Sequence, residues 1–173
     1  MTQAITAGLN LDATIPLPAL PRLDGTERRT CGLALLWWQD LAGDRRAPSR
    51  QDIAAAPAPD FWKHLFLLRC SAQGPEANRF EWAAPITCQA LGLDPKGRSL
   101  AQAWPEDALS RAAFVQRSVA ELLVPIEETG RWRSPAGGDV VFRCLLLPVS
   151  DGAAPASHLL GVMSFHRQRA LGA

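Results

Sequence analysis

The hydrophobic period of this chain changes twice along its length, and that change limits the folds open to it. From His64 to Cys70 the chain reads as a strand, with Phe66, Leu68 and Cys70 on one face and Leu65, Leu67 and Arg69 on the other. Ser71 to Asn78 carries Gly74 and Pro75 and reads as a hairpin loop. Arg79 to Ala83 is the second strand, with Phe80 and Trp82 on one side and Arg79 and Glu81 on the other. The period then becomes helical. Pro85 to Leu91 predicts a short helix ended by Gly92, and Gly97 to Trp104 a second short segment. Pro105 heads a long helix to 123, with Glu106 and Asp107 at its positive end. Its apolar stripe is Ala108, Ala112, Val115, Val119 and Leu122, while Phe114 falls on the polar side with Arg111 and Glu121. Strand character returns in 124–133, 140–149 and 159–166, separated by a turn at 134–138 and a loop from Asp151. Two strands, helices, then three antiparallel strands predict an α+β fold with its helices on one face of the sheet.

Residues 1–30 lack periodicity and read as a mobile tail. A helix is expected from Cys31 to Ala42, with Leu33, Leu36, Trp37 and Leu41 on one face and Gly43 ending it. Residues 44–59 read as a loop broken by Pro48, Pro57 and Pro59, and Asp60 as a cap for a short turn through Phe61 and Trp62. The expected division is therefore a tail at 1–30, a helix and connecting loop at 31–63, one domain at 64–167 and a C-terminal tail at 168–173.

Eighteen basic against seventeen acidic residues leave a net charge of +1. That balance argues against a nucleic-acid partner, whose binding domains carry a clear basic excess. The 20% charged content is low and points to apolar surface. The first cation is Arg22 and no apolar run reaches membrane-spanning length, so neither a secretory signal nor a membrane span is expected and the location read is cytoplasmic. Cys31, Cys70, Cys88 and Cys144 form no C-x-x-C pair and read as reduced core thiols.

The order of elements and several stretches together resemble a family of small bacterial stand-alone PAS proteins over roughly residues 33–166. The matching stretches are Trp37-Trp38-Gln39-Asp40-Leu41, Arg45 through Ile53, His64-Leu65-Phe66-Leu67-Leu68, Leu91-Gly92 through Gly97-Arg98-Ser99-Leu100 to Trp104-Pro105, and Leu145-Leu146-Leu147-Pro148. The resemblance implies a PAS-like five-stranded antiparallel sheet cupping a small pocket under its helices. It also implies a non-catalytic module that binds a ligand or a partner, or dimerises. One departure is Ala83-Ala84-Pro85-Ile86, where relatives carry a Gly-containing turn.

The cofactor is unknown from sequence. Haem-binding relatives take an axial His from the long helix, which has none here; His64, His158 and His166 lie on strands. Flavin photosensors of this fold use an Asn-Cys-Arg-Phe motif, whereas Cys88 sits in Ile86-Thr87-Cys88-Gln89. A pocket for a small organic ligand, or one filled by side chains, is left. Strand parity places Phe66, Leu68, Phe80, Trp82, Phe142, Cys144 and Leu146 toward the helices, with Leu91, Leu100, Trp104 and Val115 above them. Trp82 and Trp104 each need an acceptor for the indole N–H, from backbone or from ligand. The opposite sheet face, with Leu65, Leu67, Val141, Leu145 and Leu147, needs a cover. Leu33, Leu36 and Trp37 of the first helix are the expected cover, from the same chain or a second copy, and a homodimer through this face is expected.

The arginine pairs Arg28/Arg29, Arg45/Arg46, Arg131/Arg133 and Arg167/Arg169 suit an anion but read first as solvated surface. Three functions compete. The leading one is a PAS sensor without an output domain on the chain, acting on a signalling partner or through its dimer. The second is an interaction scaffold with a filled core. The third is a small α+β enzyme, which the apolar inward positions oppose. Glu127 and Glu128 are adjacent on a strand, point to opposite faces and cannot form a dyad.

Overall fold

A computed structural model describes residues 25–168. Expectations for 1–24 and 169–173 lie outside the described residues. The chain forms α1 (Gly25–Ala42), α2 (Arg50–Ala55), β1 (Leu65–Arg69), β2 (Arg79–Ala83), α3 (Pro85–Leu91), α4 (Leu100–Ala103), α5 (Glu106–Leu122), β3 (Ile126–Arg133), β4 (Asp139–Val149) and β5 (His158–Gln168). The five strands make one antiparallel sheet in the order β2-β1-β5-β4-β3. Helices α3 to α5 pack on one face and α1 on the other.

Local chemistry explains the element ends. Gly43 at φ 57° and Gly92 at φ 74° end α1 and α3 in the left-handed region that glycine enters without a Cβ penalty. Three boundaries depart from expectation. Helix α1 begins at Gly25, inside the stretch expected as tail, and β5 runs to Gln168. Helix α2 lies in the expected loop, because Ser49 and Asp52 form a capping box.

The sheet's α1 face is covered from within the chain. Cys31, Ala34 and Trp38 pack on Leu65, Leu67, Leu145, Leu147, Val149, Leu160 and Val162. The helix is rotated from its expected phase. Small residues face the sheet and let the helix axis come close, while Leu33 and Leu36 are 47% and 60% exposed. Trp37 is half-buried and meets Phe61 edge to face at 5.9 Å. Trp38 Nε1 donates to the Pro148 carbonyl at 2.8 Å and ties α1 to β4. The sheet face is therefore covered by α1, and the outer side of that helix presents Leu33 and Leu36.

Two arginines join the helix ends. Arg45 donates to the carbonyls of Leu41 and Ala42 at the end of α1 and pairs with Asp52 of α2 at 2.8 Å. Arg45 and Ser49 hold the Asp52 carboxyl down at about 2. Arg46 reaches the Leu122 carbonyl at 2.7 Å, at the C-terminus of α5. These side chains are helix caps rather than a free anion site. Leu122 itself, expected in the α5 stripe, is exposed.

Candidate functional site

The space between the sheet and α3–α5 is where the expected pocket residues meet. Phe66, Leu68, Phe80, Leu91, Leu100, Trp104, Val115, Phe142, Cys144 and Leu146 all belong to one buried cluster there. Trp82 does not. In the β1–β2 ladder Leu67 faces Trp82 and Leu68 faces Phe80, so Glu81 is an extra residue and a β-bulge. The bulge reverses the parity of β2: Phe80 stays in the core, and Trp82 turns to the α1 face beside Leu67.

The cluster is filled by rings. Trp132 and Phe142 lie 4.7 Å apart between centroids, Trp104 lies 5.7 Å from Trp132, and Phe66 lies 5.7 Å from Phe80. Two strand glycines make room for them. A Cβ on Gly161 would sit 1.9 Å from the Phe66 ring, directly across the β1–β5 ladder. A Cβ on Gly130 would sit 2.7 Å from the Phe142 ring across β3–β4. Trp132, to which the sequence assigned no role, is among the most deeply buried side chains.

Clefts open at the margins of this core. One of about 570 Å³ is bounded by Leu91, Leu93, Trp104, Trp132 and Arg133, between the end of α4, the start of α5 and the end of β3. Trp104 lines this cleft, and its indole N–H is buried and has no hydrogen-bond partner. Of the two acceptors weighed for it, the backbone carbonyl is absent. A second cleft, of about 650 Å³, has the buried pair Asn78 and Gln116 in its wall; Asn78 Nδ2 donates to Gln116 Oε1 at 2.9 Å.

Polar groups that the sequence reading left outside the core lie in it. Gln116 is 1% exposed on α5, and Glu128 is 4% exposed on β3, on the core face opposite Cys144. The inward positions are therefore not all apolar. Parity from Ile126 and Trp132 would have placed Glu128 inward. Its carboxylate accepts from Arg111 Nε at 3.0 Å. Burial pushes its pKa up, against the Arg111 charge. Glu127 points to the other face, where it meets Arg143, as parity requires.

None of the four cysteines is in a disulfide. Burial raises the thiols of Cys144 and Cys88, and that of Cys70 to about 11, so none of these three is an activated nucleophile. His64 Nδ1 lies 2.8 Å from the Met163 carbonyl, and His158 lies between Ser157 and Glu81. Among the described residues no group of three or more His, Cys, Asp or Glu is placed to hold a metal ion, and no helix is long and apolar enough to cross a membrane.

A five-stranded antiparallel sheet in this order, with its connecting helices over an aromatic core, defines an α+β domain. The sequence matches the PAS domain family model over residues 28–164, and the chain belongs to that family. The match includes most of α1. PAS domains are typically sensory or regulatory, non-catalytic domains. No curated protein matches the sequence. Among solved structures, the chain is similar to a fungal LOV domain photoreceptor, at 17% identity and a TM-score of 0.40, covering 65% of this chain and 85% of that one. It is also similar to an RNA-binding light-oxygen-voltage receptor, at 16% identity and a TM-score of 0.40, covering 86% of this chain and 36% of that one.

Proposed function

We propose that this chain is a cytoplasmic PAS regulatory module that takes a small organic ligand in the cleft beside Trp104 and relays its occupancy through α1. The buried, unpartnered indole N–H of Trp104 carries this reading. A buried donor without an acceptor costs about 1–3 kcal/mol, and a ligand carbonyl or ether oxygen in the cleft removes that cost. The apolar wall of Leu91, Leu93 and Trp132 suits a largely apolar body. The relay has a physical path. The cleft lies at the start of α5, and the end of α5 is held by Arg46 from the loop that follows α1. The exposed Leu33 and Leu36 on α1 are then the surface offered to a second copy or to a signalling partner.

The filled aromatic core favours a second reading, an interaction scaffold that uses the α1 surface and takes no ligand. Native mass spectrometry of the purified protein, followed by titration of any released compound, separates the two. The ligand reading expects a co-purifying small molecule whose affinity falls about tenfold in Trp104→Phe, the loss of one hydrogen bond. A protein that carries and binds nothing leaves the scaffold, and a variant with undiminished affinity overturns the role of the Trp104 N–H.

A further inference from the structure

A different site lies on the other face of the sheet, at its β2 edge. A cleft of about 420 Å³ is bounded there by Arg50, Arg69, Arg79, Lys96, Glu81 and Trp82. Four cations face one carboxylate, in a chain whose net charge is only +1. That carboxylate is already engaged. Glu81 Oε2 accepts from Arg50 at 2.8 Å, and its Oε1 lies 3.4 Å from His158 Nε2. Arg79 donates one N–H to the Gly97 carbonyl at 3.0 Å. Among the described residues no carboxylate stands within ion-pair distance of Arg69, Arg79 or Lys96.

The register makes this arrangement costly. Arg69 is directly opposite Arg79 on one side and His158 on the other. Like charges directly opposite one another in a sheet are destabilising. The desolvated His158 is held below its ordinary pKa, and the charges of Arg50 and Arg69 act in the same direction. The bulge at Glu81 then brings an aromatic to the same place, because it turns Trp82 onto the face that Arg69 and Arg79 share.

We propose that this cleft binds a small phosphate ester of a flat ring compound, a ligand of the mononucleotide type. Three cations without a carboxylate match a phosphate dianion better than a single carboxylate. Guanidinium forks fit its oxygens bidentately, and the half-buried Trp82 offers a π face for the ring. The volume suits a small molecule. The site is separate from the Trp104 cleft and shares no residue with it.

Calorimetric titration at low ionic strength with adenosine monophosphate, adenosine and inorganic phosphate tests this. The monophosphate is expected to bind about tenfold or more tightly than either fragment, each lacking charge-assisted bonds or the stacked ring. The double variant Arg69→Gln/Arg79→Gln should lose about tenfold or more of that affinity while melting no lower than the parent, since it removes the opposed charges. Absence of monophosphate binding overturns the proposal, as does binding that survives in the folded double variant. Equal affinity for phosphate alone removes the ring, and tighter binding of single-stranded RNA than of the monophosphate replaces the small ligand with a polymer.

Discussion

The two faces of the sheet are built on different principles. The face under α3–α5 is aromatic, and its rings fit because two strand positions carry no side chain, Gly130 and Gly161. The face under α1 is mainly aliphatic, and its helix approaches through Cys31 and Ala34 and is tied by the bond from Trp38 to Pro148. The first face has little freedom to rearrange, since ring packing at native density resists added volume. The second is held by the Trp38 bond and by apolar contacts that are non-directional and tolerate small shifts. Under the proposed relay, the rigid face senses the ligand and the more adjustable face carries the output.

The sharpest way to break this contrast is Gly161→Ala. The new methyl would meet the Phe66 ring at 1.9 Å, with the ring and the β5 backbone both held by the ladder. A loss on the order of 3 kcal/mol is expected in thermal or urea unfolding, at the upper end for overpacking. Adding Phe66→Leu should restore much of it, giving a large coupling in the double-mutant cycle. A near-neutral Gly161→Ala would show that the aromatic face is as adaptable as the other one.

The next effect belongs to α1. Trp38→Phe keeps most of the ring and leaves the buried Pro148 carbonyl without its donor. A loss of about 1–2 kcal/mol is expected. Hydrogen exchange should rise in α1 while α5 stays protected. Equal loosening of both faces would mean that they act as one cooperative unit, and the division of roles would fall.

The same contrast explains what could be read from sequence. The aromatic face followed from parity because large side chains at alternate positions leave a plain signal: Phe66, Leu68, Phe142, Cys144 and Leu146 all lie where period two puts them. Trp82 failed because a bulge adds one residue without changing composition, and one residue reverses the face. On the α1 side the reading followed the largest apolar residues, Leu33 and Leu36, whereas close helix–sheet packing selects the small ones, Cys31 and Ala34. Helix α2 was legible in its Ser49-Arg50-Gln51-Asp52 capping box and was masked by the prolines around it. The unpartnered Trp104 N–H and the cationic β2 edge depend on tertiary neighbours that no spacing rule reports.

The smallest effect concerns Glu128, the buried carboxylate on the aromatic face. Burial raises the Glu128 pKa above its ordinary 4.5, while Arg111, 70% exposed, lowers it less than burial lifts it. The sign follows from linkage. A group whose folded pKa is raised contributes stability that is complete below its unfolded value and is lost as the pH climbs through the folded one. Glu128 therefore weakens the fold at neutral pH relative to pH 4. Arg111→Gln removes the charge that opposes that loss and is expected to cost about 1 kcal/mol at pH 7, discounted for the exposure of the arginine. The cost should shrink toward zero at pH 4, where the carboxyl is protonated and the partner matters little. Glu128→Gln should flatten the parent's slope between those pH values and leave it as stable or more so at pH 7, because an amide in the same place sheds the buried charge. Urea unfolding of the three proteins at both pH values reads this directly. An Arg111→Gln deficit that is the same at pH 4 and pH 7 would mean that the arginine acts by packing its stem over β3, and that this face holds its carboxylate without electrostatic help.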